Sequence, residues 1–157
     1  MTDAVVTLKT GEGRYLQKGG PWIYDNEIAD ISPGAEDGGL VRVCGENGWP
    51  LGQGFLNRRS KLTVRMLTRD PDAEINEDFF LMRLKNAWEY RKKVVDTSSC
   101  RLVFGEADFL PGLVVDKFSG RAGGRVPSSG HRPLQGHHRG AAEGAAGPGR
   151  HRHPGRL

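Results

Sequence analysis

The large apolar side chains that could build a core become scarce after Phe118. Residues 119–157 contain no Ile, Phe, Tyr, Trp, Met or Lys, whereas they hold ten Gly and all five His of the chain. A segment of this composition cannot bury enough apolar surface to offset the entropy lost on ordering it. We therefore predict that residues 119–157 are a disordered tail, and that any folded core comes from residues 1–118. That length suffices for one ordinary domain or two small ones.

The same position divides the charge of the chain. The formal net charge is +4 at pH 7, but residues 119–157 carry seven Arg and one Glu, whereas residues 1–118 carry sixteen Lys and Arg against eighteen Asp and Glu. The body is thus slightly acidic, and the basic balance belongs to the tail. Net charge therefore does not indicate a polyanionic partner, and only local basic clusters count as electrostatic support for one.

Neither a membrane span nor a metal site is predicted. No run approaches the roughly 18 apolar residues of a transmembrane helix, and the start of the chain lacks the layout of a secretory signal, so we expect a cytoplasmic protein. Cys44 and Cys100 have no CxxC spacing and no nearby His, which predicts two buried thiols. The tail histidines lack the spacing of a closed metal site, although a segment rich in His, Arg and Gly is also typical of nonspecific metal or RNA binding.

The first part of the chain has the pattern of short strands joined by turns. Val41 and Val43 alternate with a polar residue, and Asn47-Gly48 supplies the positive φ angles of a tight hairpin turn. The stretch KLTVRMLTRD alternates again before a proline ends the run. Residues 1–72 are therefore predicted to be mainly β and to form a small barrel.

The period then changes to that of a helix. Phe80, Leu84 and Trp88 fall on one stripe of an α-helix, and Asn76 is placed as its N-cap, with acidic residues in the first turn and basic residues in the last. Two apolar strand-like runs, LVF and LVV, follow and are separated by an acidic turn. Residues 73–118 are therefore predicted to be an incomplete α+β unit, a helix plus two strands, in which the helix stripe packs against the missing remainder of the unit.

Four stretches carry a resemblance to a known family: LKTGEGRYLQKGGPWIYDNEI, GWPLGQGFLNRRSKLTVRMLTRD, RLKNAWEYRKKV and CRLVFGEADFLPGLVVDKF. In order and spacing they resemble the N-terminal part of the bacterial 23S rRNA cytosine-5 methyltransferases of the RlmI type, over about residues 5–118. The resemblance implies an N-terminal PUA domain that binds RNA, then a small central α+β domain. In the full-length family a C-terminal Rossmann-like domain binds S-adenosylmethionine. The chain matches the PUA domain and the opening of the central domain.

The chemistry of the family is not expected in this chain. The resemblance implies that a cysteine thiolate adds to the cytosine ring, that the activated ring carbon takes the methyl group, and that a base then removes a proton. Neither Cys44 nor Cys100 matches the motif of that nucleophile. The Gly-rich stretch Gly11–Arg14 follows a strand, but the helix that a cofactor loop needs is not expected after it. We therefore predict no catalytic, cofactor-binding or metal-binding residue, and no methyltransferase activity for the chain alone.

RNA binding remains, with rRNA as the predicted partner. Arg and Lys are the side chains that neutralise phosphates, and two basic clusters could converge on one phosphate backbone. The predicted RNA-binding residues are Lys9, Arg14 and Lys18 around the first loop, and Arg58, Arg59 and Lys61 near the end of a hairpin. For either cluster alone, a solvated surface is an equally good interpretation.

Three further side chains are open to two interpretations. Trp22 follows a Gly-Gly-Pro turn that resembles the lead-in to the first PUA helix of the family. It is either a stacking platform for a base or a core residue, and we favour the core. Glu106 and Asp108 are close enough in sequence to suggest a catalytic pair, but we favour the polar edge of a turn.

The tail resembles a continuation of the family in another reading frame. Codons for Gly130–Arg139, re-read one base later, are compatible with GIDRYKDIIE, and those that follow with ALQKELLAP, an amphipathic helical pattern. The hypothesis is that the frame shifts near Ser119, by mutation or sequence error, and sequencing the coding DNA tests it. Two alternatives stay open: a full rRNA methyltransferase whose sequence is artificially truncated, and an inert fragment with an exposed apolar helix face.

Overall fold

The computed structural model describes residues 4–119 and 121–125. The predictions of disorder and of out-of-frame translation for residues 126–157 lie outside this part of the chain. The elements are, in chain order, β1 (Val5–Leu8), α1 (Arg14–Gln17), β2 (Trp22–Tyr24), a 3-10 turn (Asp25–Glu27), β3 (Ile28–Ile31), β4 (Leu40–Cys44), β5 (Pro50–Leu56), β6 (Leu62–Thr68), α2 (Glu77–Val94), β7 (Ser99–Phe104), a 3-10 turn (Gly105–Asp108), β8 (Val114–Phe118) and β9 (Arg121–Arg125).

The first six strands form one sheet in the order β2-β6-β5-β4-β1-β3. Neighbouring strands are antiparallel, except that β1 and β4 are parallel. The edge strands β2 and β3 are consecutive in the chain and are joined by the 3-10 turn Asp25–Glu27, so the sheet takes the form of a half-barrel. The mainly β fold predicted for this part of the chain is confirmed.

The strands β4 and β5 form the predicted hairpin. Cys44 pairs with Pro50 across it, and Gly48 has a φ of 76°, a conformation that glycine adopts without steric cost. The side-chain oxygen of Asn47 accepts a hydrogen bond from the N–H of Trp49 at 3.1 Å. The two residues that predicted the turn therefore also build it.

The core of the half-barrel is made by five strands and α1. Val and Ile predominate, and branched side chains of this kind pack well on a pleated sheet. The buried core residues are Val6, Leu8, Leu16, Ile23, Ala35, Val41, Val43, Leu56, Val64 and Met66. Burial of a large apolar side chain contributes roughly 1.5–3 kcal/mol, so this cluster is the main stabilising feature of the sheet.

A second unit consists of α2 and the three-stranded antiparallel sheet β7-β8-β9. The helix begins after Asn76, whose side-chain oxygen accepts from the N–H of Phe79 at 3.0 Å, so the predicted N-cap is confirmed. Phe80 and Leu84 of the predicted stripe pack against a small cluster of Ala87, Val103 and Leu110. Phe80 and Leu84 are thus covered by residues of the described chain, whereas the sequence predicted a missing partner. Trp88, the third residue of the stripe, is half-buried and lies outside this cluster.

Strand β9 is a correction to the sequence analysis. Residues 121–125 lie in the segment predicted to be disordered, yet they pair with β8 from Phe118↔Arg121 to Val114↔Arg125. All five are exposed, so the strand buries no side chain. Its backbone groups bond to the open edge of β8, and pairing at a sheet edge does not require apolar side chains. The second unit therefore has three strands rather than the predicted two.

The helix α1 is a second correction, because no helix was expected after Gly11–Arg14. It is four residues long, which is too short for a helical period to show in the sequence. The turn Gly19–Trp22 leads out of α1 and into β2, whereas its resemblance suggested that it leads into a helix.

Candidate nucleic-acid interface

Lys9 and Lys61 lie on either side of the 3-10 turn Asp25–Glu27. The ammonium group of Lys9 donates to the carbonyl of Asn26 at 2.7 Å. The carbonyl of Lys61 accepts from the N–H of Asp25 at 2.9 Å. Because β1 ends and β6 begins at this turn, the fold brings together one residue from each predicted basic cluster. Both lysines are exposed.

The turn between β5 and β6 holds Arg58 and Arg59. Its shape depends on Asn57, whose side-chain oxygen accepts from the N–H of Arg59 at 3.0 Å. Arg58 is anchored to Asp37, since its N–H donates to the carboxylate at 2.9 Å and its guanidinium lies 3.6 Å from the same oxygen. The charge of Arg58 is thus partly neutralised. Arg59 and Lys61 are exposed and form no ion pair within residues 4–119 and 121–125.

Arg14 and Lys18 mark the two ends of α1. Arg14 opens the helix and folds back over Gly11, where an added Cβ would lie 3.5 Å from its guanidinium. Lys18 closes the helix, and its N–H donates to the carbonyl of Arg14 at 3.2 Å. Both side chains are exposed, so both are available to a ligand.

A further cation, Arg69, lies beside the C-terminal end of α1. It follows β6, and its guanidinium donates to the carbonyl of Gly20 at 3.4 Å. The ring of Tyr15 covers Gly20, where a Cβ would lie 2.1 Å from the ring, so the ring can take this position only while residue 20 lacks a side chain. Arg69 and Tyr15 are exposed next to Lys18. Cations beside an aromatic ring are a combination that binds phosphate and base.

The six predicted residues therefore do not form one patch. Lys61 precedes β6 and Arg69 follows it, and the seven residues of this strand span roughly 23 Å. We call the group at the first end the turn cluster, and the group at the second end the helix cluster. The turn cluster consists of Lys9, Arg59 and Lys61, and the helix cluster of Lys18 and Arg69. Arg14 lies one helical turn before Lys18.

Arg69 is not among the residues predicted from the sequence. Its proximity to Gly20 joins residues 49 positions apart and results from the pairing of β2 with β6. The only signal in the sequence was a cation directly after a strand, which many solvated strand ends share.

Trp22 is half-buried, so the preference for a core position is corrected. Its indole N–H donates to the carboxylate of Glu106 at 3.3 Å, and Arg65 forms an ion pair with the same oxygen at 2.7 Å. Trp22 and Arg65 belong to the half-barrel, whereas Glu106 belongs to the second unit. The three side chains therefore connect the two units, and we call them the junction triad.

Neither Glu106 nor Asp108 has the surroundings of a catalytic acid. Burial would raise the pKa of Glu106, but hydrogen bonds from its own N–H, from Arg65 and from Trp22, together with the charge of Arg65, hold the pKa below its usual range. Asp108 accepts from Arg91 at 3.0 and 2.5 Å and from the N–H of Phe104 at 2.7 Å. Both carboxylates are thus occupied by structural contacts, as expected for the polar edge of a turn.

The turn after β1 does not fit a nucleotide cofactor. Gly13 is buried, and a Cβ there would lie 3.0 Å from Leu8 and 3.5 Å from Leu51, so the turn packs on the core. The helix that follows has four residues, and it leads into a sheet that is antiparallel apart from the β1–β4 pair, unlike the parallel sheet of a dinucleotide fold. These residues leave no open cradle for a phosphate or a nucleoside.

Cys44 does not have the surroundings of an activated nucleophile. Burial raises the pKa of the Cys44 thiol, and the charge of Arg42 opposes this only in part. Cys100 is half-buried, so the prediction of a buried thiol is wrong for this residue, which lies on the small sheet. The described residues contain no group of three or more His, Cys, Asp and Glu that could hold a metal ion. In the same part of the chain, no helix has the length and apolar character to cross a bilayer.

Residues 6–69 match the family model of a PUA-like domain. The chain is 33% identical over 130 residues to Ribosomal RNA large subunit methyltransferase I of Alteromonas mediterranea, and 33% identical over 118 residues to the protein of the same name from Shewanella frigidimarina. The two alignments cover 81% and 73% of this chain but 33% and 30% of the relatives. The chain thus spans about a third of the length of the curated relatives it matches.

Two solved structures share the fold. A putative SAM-dependent methyltransferase from Streptococcus mutans superposes with a TM-score of 0.60 at 14% identity, over 71% of this chain and 30% of its own. A putative methyltransferase complexed with SAH superposes with a TM-score of 0.56 at 17% identity, over 71% of this chain and 29% of its own. At this identity the likeness concerns the fold alone.

Proposed function

We propose that this chain, whose residues 6–69 match the model of a PUA-like domain, binds ribosomal RNA as the N-terminal module of a methyltransferase. The observation that carries the proposal is the identity of 30% or more to ribosomal RNA large subunit methyltransferases, which lies over most of this chain. The exposed cations at both ends of β6 supply a physical means of binding a polyanion.

The proposed contacts are made to phosphates. Each cation that neutralises a phosphate releases a counterion, so affinity gained in this way falls as salt rises. We propose that the turn cluster and the helix cluster contact the backbone of one RNA, with Arg14 between them. Arg58 contributes less, because Asp37 already balances its charge. These contacts would position the RNA, since phosphates carry no base identity.

Methyl transfer is not assigned to the described residues. S-adenosylmethionine supplies the methyl group in the reaction for which the similar solved structure is named. The turn after β1 does not fit this cofactor, because Gly13 packs on the core. The thiol of Cys44 is buried. As part of the proposal, residues 1–72 are the RNA-binding domain and residues 73–118 begin a central domain. Because the proposed ligand is ribosomal RNA, we also propose that the chain acts in the cytoplasm and does not bind a membrane.

Charge reversal at each end of β6 tests the proposal. The double variants Arg59→Glu/Lys61→Glu and Lys18→Glu/Arg69→Glu, made in the full chain, are titrated with a structured 23S rRNA fragment at several salt concentrations. Each is expected to weaken binding at low salt by at least about tenfold. The slope of log K against log salt is negative. Each variant is also expected to reduce the magnitude of this slope by about two, because two phosphate contacts are lost.

The matched control is Lys85→Glu/Lys93→Glu, which reverses two exposed charges on α2. It changes the net charge of the chain by the same amount and leaves the half-barrel intact. We call the two double variants at the ends of β6 the barrel variants. If the control weakens binding as much as they do, binding depends on net charge alone, and the proposed roles of the turn cluster and the helix cluster are wrong. A wild-type chain that fails to bind at low salt would contradict the proposal outright.

A further inference from the structure

The three-stranded sheet has one face that α2 does not cover. The inner face packs on the cluster around Val103. Residues directly opposite each other on paired strands share a face, so the strand pairing gives the composition of the outer face. It consists of three rows: Ser99, Phe118 and Arg121; Arg101, Asp116 and Gly123; Phe104, Val114 and Arg125. We call these rows the outer sheet face.

The outer sheet face exposes two aromatic rings. Phe104 is 54% and Phe118 62% exposed, and they stand on adjacent strands near opposite ends of the face. The partner of Phe104 on β8, Val114, is four residues from Phe118, or roughly 13 Å along the strand. When a planar group covers a large apolar ring and removes it from water, the free energy falls. The rings are thus suited to stacking.

The charge on this face is positive. Arg101 forms a two-point contact with Asp116, at 2.8 and 3.2 Å, and its guanidinium lies 5.3 Å from the centroid of Phe104. The carboxylate of Asp116 is therefore balanced by a neighbour on the same face. Arg121 and Arg125 are exposed and have no ion pair within the described residues. Two uncompensated cations remain, one at each end of the face.

The surface beside Phe118 is open. A depression of about 510 Å³ is lined by Arg101, Val114, Asp116, Phe118 and residues 123–125. Gly123 lines this depression without a side chain, and an added Cβ there would meet nothing within 4 Å. The core of a protein–protein interface is depleted of charged residues. This face instead carries three arginines, Arg101, Arg121 and Arg125. The face therefore matches a ligand with planar apolar groups on an anionic backbone.

We propose that the outer sheet face binds unpaired nucleotides of RNA, with bases stacked on Phe118 and Phe104 and phosphates contacted by Arg121 and Arg125. Exposed aromatic rings on an antiparallel sheet are an established way of holding single-stranded RNA. The inference rests on the proposed function, because it presumes that the chain binds RNA. It adds a second surface, in the second unit, and a preference there for single-stranded segments.

The test compares two probes in the full chain: a fluorescein-labelled oligouridine and an RNA duplex of the same length. Phe118→Ala is expected to weaken oligouridine binding on the order of tenfold and to leave duplex binding unchanged. Phe118→Trp should retain oligouridine binding, because it keeps a stacking surface. The matched control is Tyr90→Ala, which removes a ring that is 57% exposed on α2, and it should change neither affinity.

The outcomes separate this inference from the proposed function. Unchanged oligouridine binding in Phe118→Ala, alongside weakened duplex binding in the barrel variants, overturns the outer sheet face and leaves the half-barrel as the RNA-binding surface. An equal loss in Phe118→Ala and Tyr90→Ala also overturns it. Weaker oligouridine binding in Phe118→Ala, with barrel variants that bind both probes normally, supports the outer sheet face and contradicts the proposed role of the half-barrel.

Discussion

Gly52 stands where β5 and β6 touch through their backbones. Its φ is 139°, and a Cβ there would lie 2.2 Å from the carbonyl oxygen of Thr68. Gly54 has a similar constraint, with a Cβ position 2.5 Å from the carbonyl oxygen of Arg65. The missing side chains let β6 lie close on β5. This packing fixes the strand whose two ends carry the turn cluster and the helix cluster.

Gly52→Ala should therefore destabilise the half-barrel strongly. The new Cβ meets backbone that cannot move without breaking the β5–β6 pairing, so we expect a loss of roughly 3 kcal/mol in the free energy of unfolding. Gly48→Ala is the matched control, because Gly48 also has a positive φ, of 76°, but nothing lies within 4 Å of its Cβ position. It should cost about 1 kcal/mol. Urea unfolding measures both, and equal losses would contradict the packing argument.

Glu106 makes the junction triad sensitive to pH. Its pKa in the folded chain lies below the ordinary value of 4.5. A carboxyl group with a lowered pKa contributes stability that is present above its unfolded value and is lost as the pH falls through the folded value. The triad should thus be intact at neutral pH and weaken in acid below pH 4.5.

Glu106→Gln tests this sign. The variant keeps the shape of the side chain but lacks its charge. At pH 7 its free energy of unfolding should therefore be about 1 kcal/mol smaller than that of the wild type. The difference should shrink as the pH falls, because the wild-type carboxylate then also becomes neutral. Glu46→Gln, at an exposed position of the hairpin turn, should show no such difference. A gap that stays constant with pH would contradict the ion pair as its cause.

At the scale of elements, the sequence predicted best where the determining contacts are local. The helical stripe that includes Phe80 and Leu84 lies within α2, and the cap at Asn76 contacts a residue three positions away. The turn at Asn47-Gly48 is equally local. In each case neighbours in the chain hold the information, and periodicity or φ preference is sufficient to read it.

The elements that were missed depend on distant partners or are too short. Strand β9 exists because β8 offers an unpaired edge, and its own glycines and arginines predict no strand. The helix cluster needs β2 and β6 to pair before Arg69 can reach Gly20. The helix α1 has only one turn. A single sequence therefore identified cations of the candidate interface but could not tell which of them lie together.

Asn76→Ala should shorten or fray α2. The side chain satisfies the N–H of Phe79, and losing such a cap costs about 1 kcal/mol. Asn86→Ala is the control, because it removes the same side chain from an exposed position in the middle of α2, where alanine is the better helix former. Circular dichroism at the helical band reports mainly on α2, which has eighteen residues. Thermal melts should shift down for the first variant and not for the second.

At the scale of the whole molecule, the described residues build two hydrophobic cores, and polar side chains connect the units that contain them. The cluster of the half-barrel and that of the second unit share no residue. The junction triad links them, and Gln53, only 5% exposed, holds the connecting segment by donating to the carbonyls of Pro71 and Ala73 at 3.1 and 2.8 Å. Such contacts can orient the units, but each contributes little beside a buried apolar side chain.

Val103→Ala and Val43→Ala therefore test whether the two cores unfold separately. Both remove the same two methyl groups from positions with 0% exposure, one in each core, and each should cost roughly 2 kcal/mol. We expect Val103→Ala to lower hydrogen-exchange protection in α2, β7 and β8 while β4, β5 and β6 keep theirs, and Val43→Ala to do the opposite. Peptide-level mass spectrometry resolves the two patterns. Uniform loss in either variant would mean that Gln53 and the junction triad couple the units into one cooperative fold.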